Sequence, residues 1–263
     1  PLWTLSDAVA FDGMPGFLPH RLAWQRSTGT SAETWTDGAA DVPAPPVGQL
    51  VAWGWTRACV CDVRTGQEVT HRAPPVAERM IDLCFPDPSN PHLIAMAAQG
   101  GPYEHGKIVL HDLRVDGGAQ LSITTPHHLI CRLRPGPDPL VLLSSHKICK
   151  DIEQWDLRRP QLQPGRAFAH CAGNAPDFEY AQSTLVCFSR GSPGTTFGAK
   201  LQVFADRPCK ISNTAGAILP EIVIDTFNRH SYARSLRLGT RTLTVLADGE
   251  RLIRCSMPTL GQR

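Results

Sequence analysis

Short apolar runs, separated by polar, glycine-rich and proline-rich turns, make up most of this chain. Three runs follow one another and the same order then returns, at residues 81–86, 92–98 and 107–113 and again at 129–135, 140–145 and 151–157. Short apolar runs bounded by turn residues are typical of buried strands. A period of 3.6 residues is hardly sustained in any window, so long helices are not expected. The pattern predicts a chain of short β-strands.

One phrase ends the third run of each group: an apolar or aromatic residue, then Asp, an aliphatic residue, Arg and a turn. It reads VCDVRTG at 60–66, LHDLRVDG at 110–117 and QWDLRRP at 154–160. Aligned along the chain, the phrase has six anchors spaced 50, 50, 44, 49 and 42 residues apart, namely Asp12, Asp62, Asp112, Asp156, Ala205 and Ala247. A period in the forties with four short strands per unit is typical of a β-propeller blade. A two-sheet sandwich is the alternative, although a sandwich has no reason to repeat one end-phrase.

Assigning strands to these units predicts a single all-β domain over 1–263 with six recognisable blades. In the first blade PHRLAW (19–24) is the fourth strand, and no first strand is found. In the last blade EIVIDTF (221–227) is the first strand. Outer strands should be more polar, as in TGQEVTHR (65–72) and RRPQLQPG (159–166). We therefore expect the ring to be closed by its termini, left open, or completed as seven blades by material outside this chain.

These units resemble the WD-repeat family of β-propellers, from about residue 9 to about residue 255. QWDLRRP is the best match, and HDLR and CDVR are looser ones. In that family a Gly-His pair, an Asp in the turn between the second and third strands, a third-strand Trp and a Ser or Thr form a hydrogen-bonded set. Here Trp155 and Ser144 or Ser145 match two positions, Cys149 stands where the turn Asp is expected, and no Gly-His pair occurs. The resemblance implies blades held mainly by apolar packing, with that set absent or partial in most.

Composition narrows the classes of function. The chain has 26 basic and 24 acidic residues, a formal net charge of +2, so nucleic acid is not an expected partner. No run approaches the roughly 20 apolar residues of a membrane-spanning helix. Most of the nine cysteines lie in apolar runs, which predicts reduced thiols and a cytoplasmic or nuclear protein. Residues 25–48 are rich in Ser, Thr, Ala and Pro and predict an exposed connecting loop, with a proline-rich docking segment as the alternative.

Motifs that carry catalysis or cofactor binding are missing from the sequence. It contains no GxSxG, no GxxxxGK[ST] and no HExxH. No CxxC occurs either, and Cys59 and Cys61 are separated by a single residue, which is not zinc-finger spacing. We therefore expect no enzyme, no cofactor and no metal site.

The remaining candidate for function is the surface of a rigid ring, which predicts a non-enzymatic scaffold or adaptor within a multi-subunit complex. On the family's geometry, the partner-binding candidates near the first strands are His71, Arg72, Arg79, His127, His128, His170, Asp177 and Tyr180. A small-molecule-binding or catalytic propeller is the alternative, and it predicts carboxylates or histidines converging at the mouth of the central channel. Nucleic-acid binding through Arg-rich loops such as RLRP (132–135) is a third, less favoured reading.

A narrower expectation comes from Trp155-Asp156-Leu157-Arg158. It is similar to the WDxR signature of propellers that act as substrate receptors of cullin-RING ubiquitin ligases, in which the Arg docks to the ligase adaptor. The resemblance adds Arg158 to the partner-binding candidates, with Arg114 and Arg64 in weaker copies of the phrase. The alternative for Arg158 is a structural role beside a neighbouring turn.

Overall fold

The structure is a computed structural model, and its strands form antiparallel sheets that we number I to V in chain order. It describes residues 21–24, 49–53, 58–62, 68–72, 79–87, 89–90, 92–99, 104–112, 114–115, 121–127, 129–159, 166–171, 173–181, 183–190, 200–205, 222–224, 233–238, 242–247 and 251–256.

Each sheet contains strands that are consecutive in the chain. Sheet I consists of β1 (Arg21–Trp24), β2 (Gln49–Trp53), β3 (Ala58–Asp62) and β4 (Glu68–Arg72). Sheet II consists of β5 (Arg79–Cys84), β6 (Leu93–Gln99), β7 (Lys107–Asp112) and β8 (Leu121–Thr124). Sheet III consists of β9 (Ile130–Pro135), β10 (Val141–His146), β11 (Asp151–Asp156) and β12 (Arg166–His170). Sheet IV consists of β13 (Asn174–Ala181), β14 (Thr184–Arg190), β15 (Lys200–Ala205) and β16 (Ile222–Ile224), and sheet V of β17 (Ala233–Leu238), β18 (Thr242–Ala247) and β19 (Arg251–Ser256).

The sequence repeat corresponds to one sheet per unit. The third strands of sheets I to IV end at four of the predicted anchors, Asp62, Asp112, Asp156 and Ala205. Every strand pairs antiparallel with its neighbour in the chain, as in a blade. The all-β class is therefore confirmed, and the antiparallel sheets are consistent with propeller blades. No closed ring is observed among the described strands, and the blade anchored at Asp12 lies outside them.

Two strand assignments were wrong because a short apolar run does not reveal its partner. The strand Arg21–Trp24 was predicted to end the first blade, but it pairs with Gln49–Trp53 as the first strand of sheet I. Segment 25–48, itself outside the described residues, therefore joins two strands of one sheet rather than two blades. Ile222–Ile224 was predicted to open the last blade, but it pairs with β15 as the fourth strand of sheet IV. In consequence Ala247 ends the second described strand of sheet V.

The outer strand of sheet III also differs from its prediction. It was expected within 159–166, yet it begins at Arg166 and carries buried side chains at Phe168 and Ala169. These side chains are apolar because they pack against sheet IV in one cluster with Phe178 and Leu185. The polar pattern expected of an outer strand does hold in β8, where only Ile123 is buried.

Neighbouring sheets stack through their first strands and bury the predicted inner runs. β5 packs on β9, β9 on β13 and β13 on β17. The strands β6 and β10, which contain the run LIAMAA and all but the first residue of the run LVLLSS, are buried along their whole length. Such runs are apolar because both of their faces are covered, and in β10 Leu142 packs with residues of sheet II and Leu143 with residues of sheet IV. The core therefore lies between the sheets.

Candidate functional site

Because the strands of each sheet form an antiparallel meander, strand ends and turns lie along two opposite edges of the sheet. The edge at which the first strand begins, here called the entry edge, also carries the turn between the second and third strands and the end of the fourth. In sheet III the Cα pairs Ile130 with His146 and Asp151 with His170 lie along it. The opposite, exit edge carries the ends of the third strands, Asp112 and Asp156. The sequence candidates therefore separate into two groups on opposite edges.

The exit edge shows why the Asp-aliphatic-Arg phrase recurs. In sheet III, Arg158 donates from Nε to Asp156 Oδ1 at 2.7 Å, from Nη2 to Oδ2 at 3.0 Å, and from its backbone N–H to Oδ1 at 3.0 Å. In sheet II, Arg114 repeats the same three bonds with Asp112, at 2.9, 2.6 and 2.9 Å. The Asp caps the turn that follows its strand, and the Arg neutralises the Asp. The phrase is thus a self-contained turn.

These ion pairs lower the pKa of the two aspartates but leave the arginine side chains accessible to solvent. The side-chain hydrogen bonds from Arg114 and Arg158 lower the pKa of Asp112 and of Asp156 below the usual carboxyl range. The side chains of Arg114 and Arg158 are still 60% and 54% exposed. Arg64, the third member of this group, lies outside the described residues.

A buried polar chain crosses sheet III from Trp155, next to the exit edge, to His146 and His127 at the entry edge. Its Nε1 donates to Ser144 Oγ at 2.8 Å, which confirms the pairing expected from the sequence. Ser144 Oγ lies 3.0 Å from His146 Nε2, and Glu153 Oε2 lies 3.0 Å from the same nitrogen. Glu153 Oε1 in turn lies 2.9 Å from Nε2 of His127, whose ring centroid is 4.6 Å from that of His146. Trp155, Ser144, His146, Glu153 and His127 thus form one connected set within sheet III, with Glu153 as its acid.

Sequence reasoning missed His146 and Glu153 as members of this chain. Alternate residues of a strand share a face, so Ser144 and His146 point the same way, as do Glu153 and Trp155. That signal was present in SSH and EQW. Only the register, in which Ser144 is the Cα partner of Glu153, places the two pairs opposite each other.

A Ser, His and Glu set resembles a hydrolase triad in composition but not in geometry. In a triad the serine and the carboxylate contact different imidazole nitrogens. Here Ser144 Oγ and Glu153 Oε2 both lie against Nε2 of His146, and its Nδ1 has no hydrogen-bond partner. Ser144 and His146 are also fully buried. The set therefore links β10 to β11 and the β8–β9 connection instead of activating a nucleophile.

The turn between β10 and β11 places exposed side chains at the entry edge of sheet III. Lys147, Ile148 and Lys150 are exposed, and Ile148 is 73% exposed. Beside the turn, the predicted candidate His170 contacts Asp151, with Nδ1 2.7 Å from Oδ1. Lys150 O also accepts a 2.8 Å hydrogen bond from the Cys171 backbone N–H, which anchors the turn. This anchored turn therefore presents an exposed aliphatic side chain with an exposed lysine on each side of it in the sequence.

The other predicted candidates have different surroundings. Arg79 opens β5 and is exposed. Tyr180 is only 9% exposed and packs edge-on against Phe168, with ring centroids 5.8 Å apart, so it belongs to the core rather than to the surface on which the sequence placed it. His71 and Arg72 lie in β4, but their side chains are outside the described part of the structure, as is His128.

Buried charges meet on the first strands of sheets II, III and IV. Arg134 of β9 donates from Nη1 to Asp82 of β5 at 3.1 Å and from Nε to Glu179 of β13 at 3.1 Å. Arg132 donates from Nε to Asp177, which is buried and not the surface contact predicted from the sequence. Burial lowers the pKa of Arg134, but Asp82 and Glu179 outweigh it and raise that pKa above the usual value.

These buried and partly buried charges bear on two alternatives, the catalytic propeller and nucleic-acid binding through RLRP. Carboxylates do converge on the inner strands, as a catalytic propeller would require, but Asp82, Asp177 and Glu179 each accept a hydrogen bond from an arginine. The arginines of RLRP are equally engaged within the protein and hardly exposed.

In the described ranges, no group of three or more His, Cys, Asp or Glu side chains is arranged to hold a metal ion. Nor does that part of the chain contain a helix of the length and apolarity needed to cross a membrane.

Comparison with known proteins supports the fold. No protein-family model and no curated protein matches the chain. Among solved structures, Raptor of Chaetomium thermophilum matches with a TM-score of 0.58 and 9% identity over 92% of this chain and 20% of that one. Hydrazine synthase of Kuenenia stuttgartiensis matches with 0.55 and 14% over 81% and 58%, and a chain of a mitotic checkpoint complex with 0.52 and 14% over 80% and 71%.

These neighbours include β-propeller proteins of the WD40 type, so the fold of the chain is similar to theirs. At such identities the likeness concerns the fold alone. One neighbour carries the name of an enzyme, and a shared fold does not separate enzymes from binding proteins. Function has to be argued from the edges and their side chains.

Proposed function

We propose that this chain is a non-enzymatic protein-interaction scaffold or adaptor that works within a larger complex, in the cytoplasm or the nucleus. The neighbour from a mitotic checkpoint complex is consistent with a general scaffold role. The pairing of the buried Arg132 and the partly buried Arg134 with carboxylates also supports the proposal, because these charges are engaged within the protein. Contact with other molecules then falls to the exposed turns.

The observation that carries the proposal is the exposure of Ile148 at the tip of the β10–β11 turn. Among the residues whose exposure the structure describes, its side chain is the most exposed large hydrophobic one, and Lys147 and Lys150 flank it in the sequence. Burying an isoleucine side chain contributes about 1.5–3 kcal/mol. Because the turn is anchored through Cys171, little conformational entropy is lost when a partner covers it. The turn therefore has the properties of an interface anchor.

The chemistry of the turn favours one kind of partner. Two ammonium groups beside one aliphatic side chain are complementary to a small apolar pocket on a protein, bordered by Asp and Glu. The exposed pair of His170 and Asp151 lies at the neighbouring strand end and adds polar groups at the rim. We assign the entry edge of sheet III, with Lys147, Ile148 and Lys150 at its centre, as the main partner surface.

The test compares proteins retained from native cells by the tagged chain and by three variants. Ile148→Ser removes the anchor, Lys147→Glu with Lys150→Glu reverses the charge, and Val115→Ser is the matched control because Val115 is exposed on the exit edge. The expected result is one partner whose affinity, measured with purified proteins, falls about tenfold or more in the first two variants and not in the third. A partner bound equally by all four proteins, or lost only with Val115→Ser, contradicts the assigned surface. Absence of any specific partner contradicts the scaffold itself.

A narrower form of the proposal is a substrate receptor of a cullin-RING ubiquitin ligase that docks to the ligase adaptor through Arg158, with Arg114 as a second copy. Its support is the sequence similarity and the exposure of both side chains on the exit edge. The Nε and Nη2 groups of each arginine are already bound by its own Asp, so docking would use the rest of the guanidinium. Arg158→Ala should abolish capture of the adaptor without loss of the fold, whereas Arg159→Ala should not. Unchanged capture by Arg158→Ala excludes this form.

A further inference from the structure

Two cysteine side chains meet in the core between sheets III and IV. The Sγ atoms of Cys171 and Cys187 are 3.0 Å apart, close enough for one thiol to donate to the other. Both residues are fully buried. The sequence predicted reduced thiols from the apolar runs around most of the cysteines, and it did not indicate that these two meet.

The position of the pair gives it structural importance. Cys171 follows β12, the last strand of sheet III, and Cys187 lies in β14, the second strand of sheet IV. Around them, Phe168 of sheet III and Phe178 and Phe204 of sheet IV form one apolar cluster. A covalent bond between the two sulfurs would therefore cross the interface between two sheets that are otherwise held together by packing and by ion pairs such as Arg132 to Asp177.

We propose that Cys171 and Cys187 form a dithiol site that hydrogen peroxide oxidises to a disulfide, which fastens sheet III to sheet IV. In the first step the Cys171 thiol gives up two electrons to peroxide, becomes a sulfenic acid and leaves one water. The Cys187 thiolate then attacks that sulfur, forms the S–S bond and releases the hydroxyl group, which leaves with a proton as a second water. Two thiols and one peroxide thus give one disulfide and two waters.

Burial determines how this site responds. Desolvation raises the pKa of Cys187 well above its usual value, so little thiolate is present near neutral pH and oxidation is slow. The rate should therefore increase as the pH rises. A small oxidant such as peroxide should react during brief openings of the interface, whereas glutathione disulfide, which is bulkier, should react more slowly. The site therefore responds to sustained exposure to peroxide and not to a brief pulse.

Peptide mapping of the full chain tests the pairing. The reduced protein is treated with hydrogen peroxide, quenched, unfolded in N-ethylmaleimide and digested, and linked peptides are identified by mass spectrometry. We expect one dominant link between Cys171 and Cys187, which encloses 15 residues. Closing a loop of that size should raise the melting temperature of the oxidised protein by about 5 °C or more. The same treatment in denaturant should scramble the links.

Two variants separate this pairing from general oxidation. Cys171→Ala should lose both the link and the rise in melting temperature, while its reduced form keeps the fold because alanine is also small and apolar. Cys149→Ser, at a half-buried turn position near the pair, should keep both. If Cys171→Ala does not fold, Cys187→Ala takes its place. A link from Cys149 to Cys171, sulfonic acids without any link, or a link that leaves the melting temperature unchanged overturns the proposal.

Discussion

Arg158 donates two side-chain hydrogen bonds, of 2.7 and 3.0 Å, to the carboxylate of Asp156, two residues before it in the chain. Arg114 and Asp112 are related in the same way one sheet earlier. The repetition shows that the Asp-aliphatic-Arg phrase specifies a turn, in which the carboxylate accepts from the backbone and the guanidinium covers the carboxylate. A docking role for Arg158 would therefore be added to a structural one.

The direction of the pKa shift of Asp156 predicts how the stability contributed by this turn depends on pH. The pKa of Asp156 is lowered in the folded protein, so its pair with Arg158 stabilises the fold above about pH 4, the unfolded value, and the contribution is lost as the pH falls through the lowered folded value. Asp156→Asn keeps an oxygen to cap the turn but loses the charge. Its melting temperature should be slightly lower than that of the wild type at pH 7, by less than about 2 °C because the pair is exposed.

Thermal unfolding of both proteins between pH 7 and pH 3 measures this difference. The gap between the two melting temperatures should narrow as the solution becomes more acidic. A gap that widens in acid, or one that is constant over the whole range, would show that the charge of Asp156 is not what stabilises the turn.

Arg134 of β9, which is partly buried, should matter far more. Arg134→Met leaves the carboxylates of Asp82 and Glu179 buried without their shared guanidinium, and we expect a loss of about 3–5 kcal/mol in the free energy of unfolding. Urea denaturation measures it. Arg254→Met is the matched control, because Arg254 is exposed on β19 and its replacement should change stability by less than about 0.5 kcal/mol.

A double variant identifies the origin of that loss. Adding Asp82→Asn to Arg134→Met removes one of the stranded charges and should restore part of the stability. Equal stability of Arg134→Met and the wild type would mean that Arg134 does not hold the three sheets together.

The bond between Trp155 and Ser144 gives a third prediction. Ser144→Ala leaves the indole N–H of Trp155 buried without its acceptor and removes the hydroxyl group that contacts His146. The free energy of unfolding should therefore fall by about 1–3 kcal/mol. Ser122→Ala, at an exposed position of β8, should have almost no effect. Urea denaturation of the two variants distinguishes them, and a loss of the same size in both would remove the structural role assigned to the polar chain of sheet III.

The sequence predicted the positions of some of the candidate residues correctly and the positions of others incorrectly. His127 and His170 lie at strand ends, as their positions beside turns in the sequence suggested. Residues 146–150 were expected to form a turn, but Ile148 was not singled out because an apolar side chain in a turn can be buried or exposed, and the structure shows that it is exposed. Tyr180 was placed on the surface, but it lies near the end of β13 and is buried because Phe168 of sheet III packs on it.

The sequence by itself determined the repeat, the strand class and the places where third strands end, because strand length, alternation and turn chemistry are local properties of the chain. Only the tertiary structure decided that Arg21–Trp24 pairs across segment 25–48 and that Ile222–Ile224 closes sheet IV, because strand pairing depends on which apolar faces meet. It also decided that Arg134 contacts Asp82 and Glu179 from two other sheets. Such contacts depend on register and on the stacking of sheets, and neither is encoded in the spacing of residues along one strand.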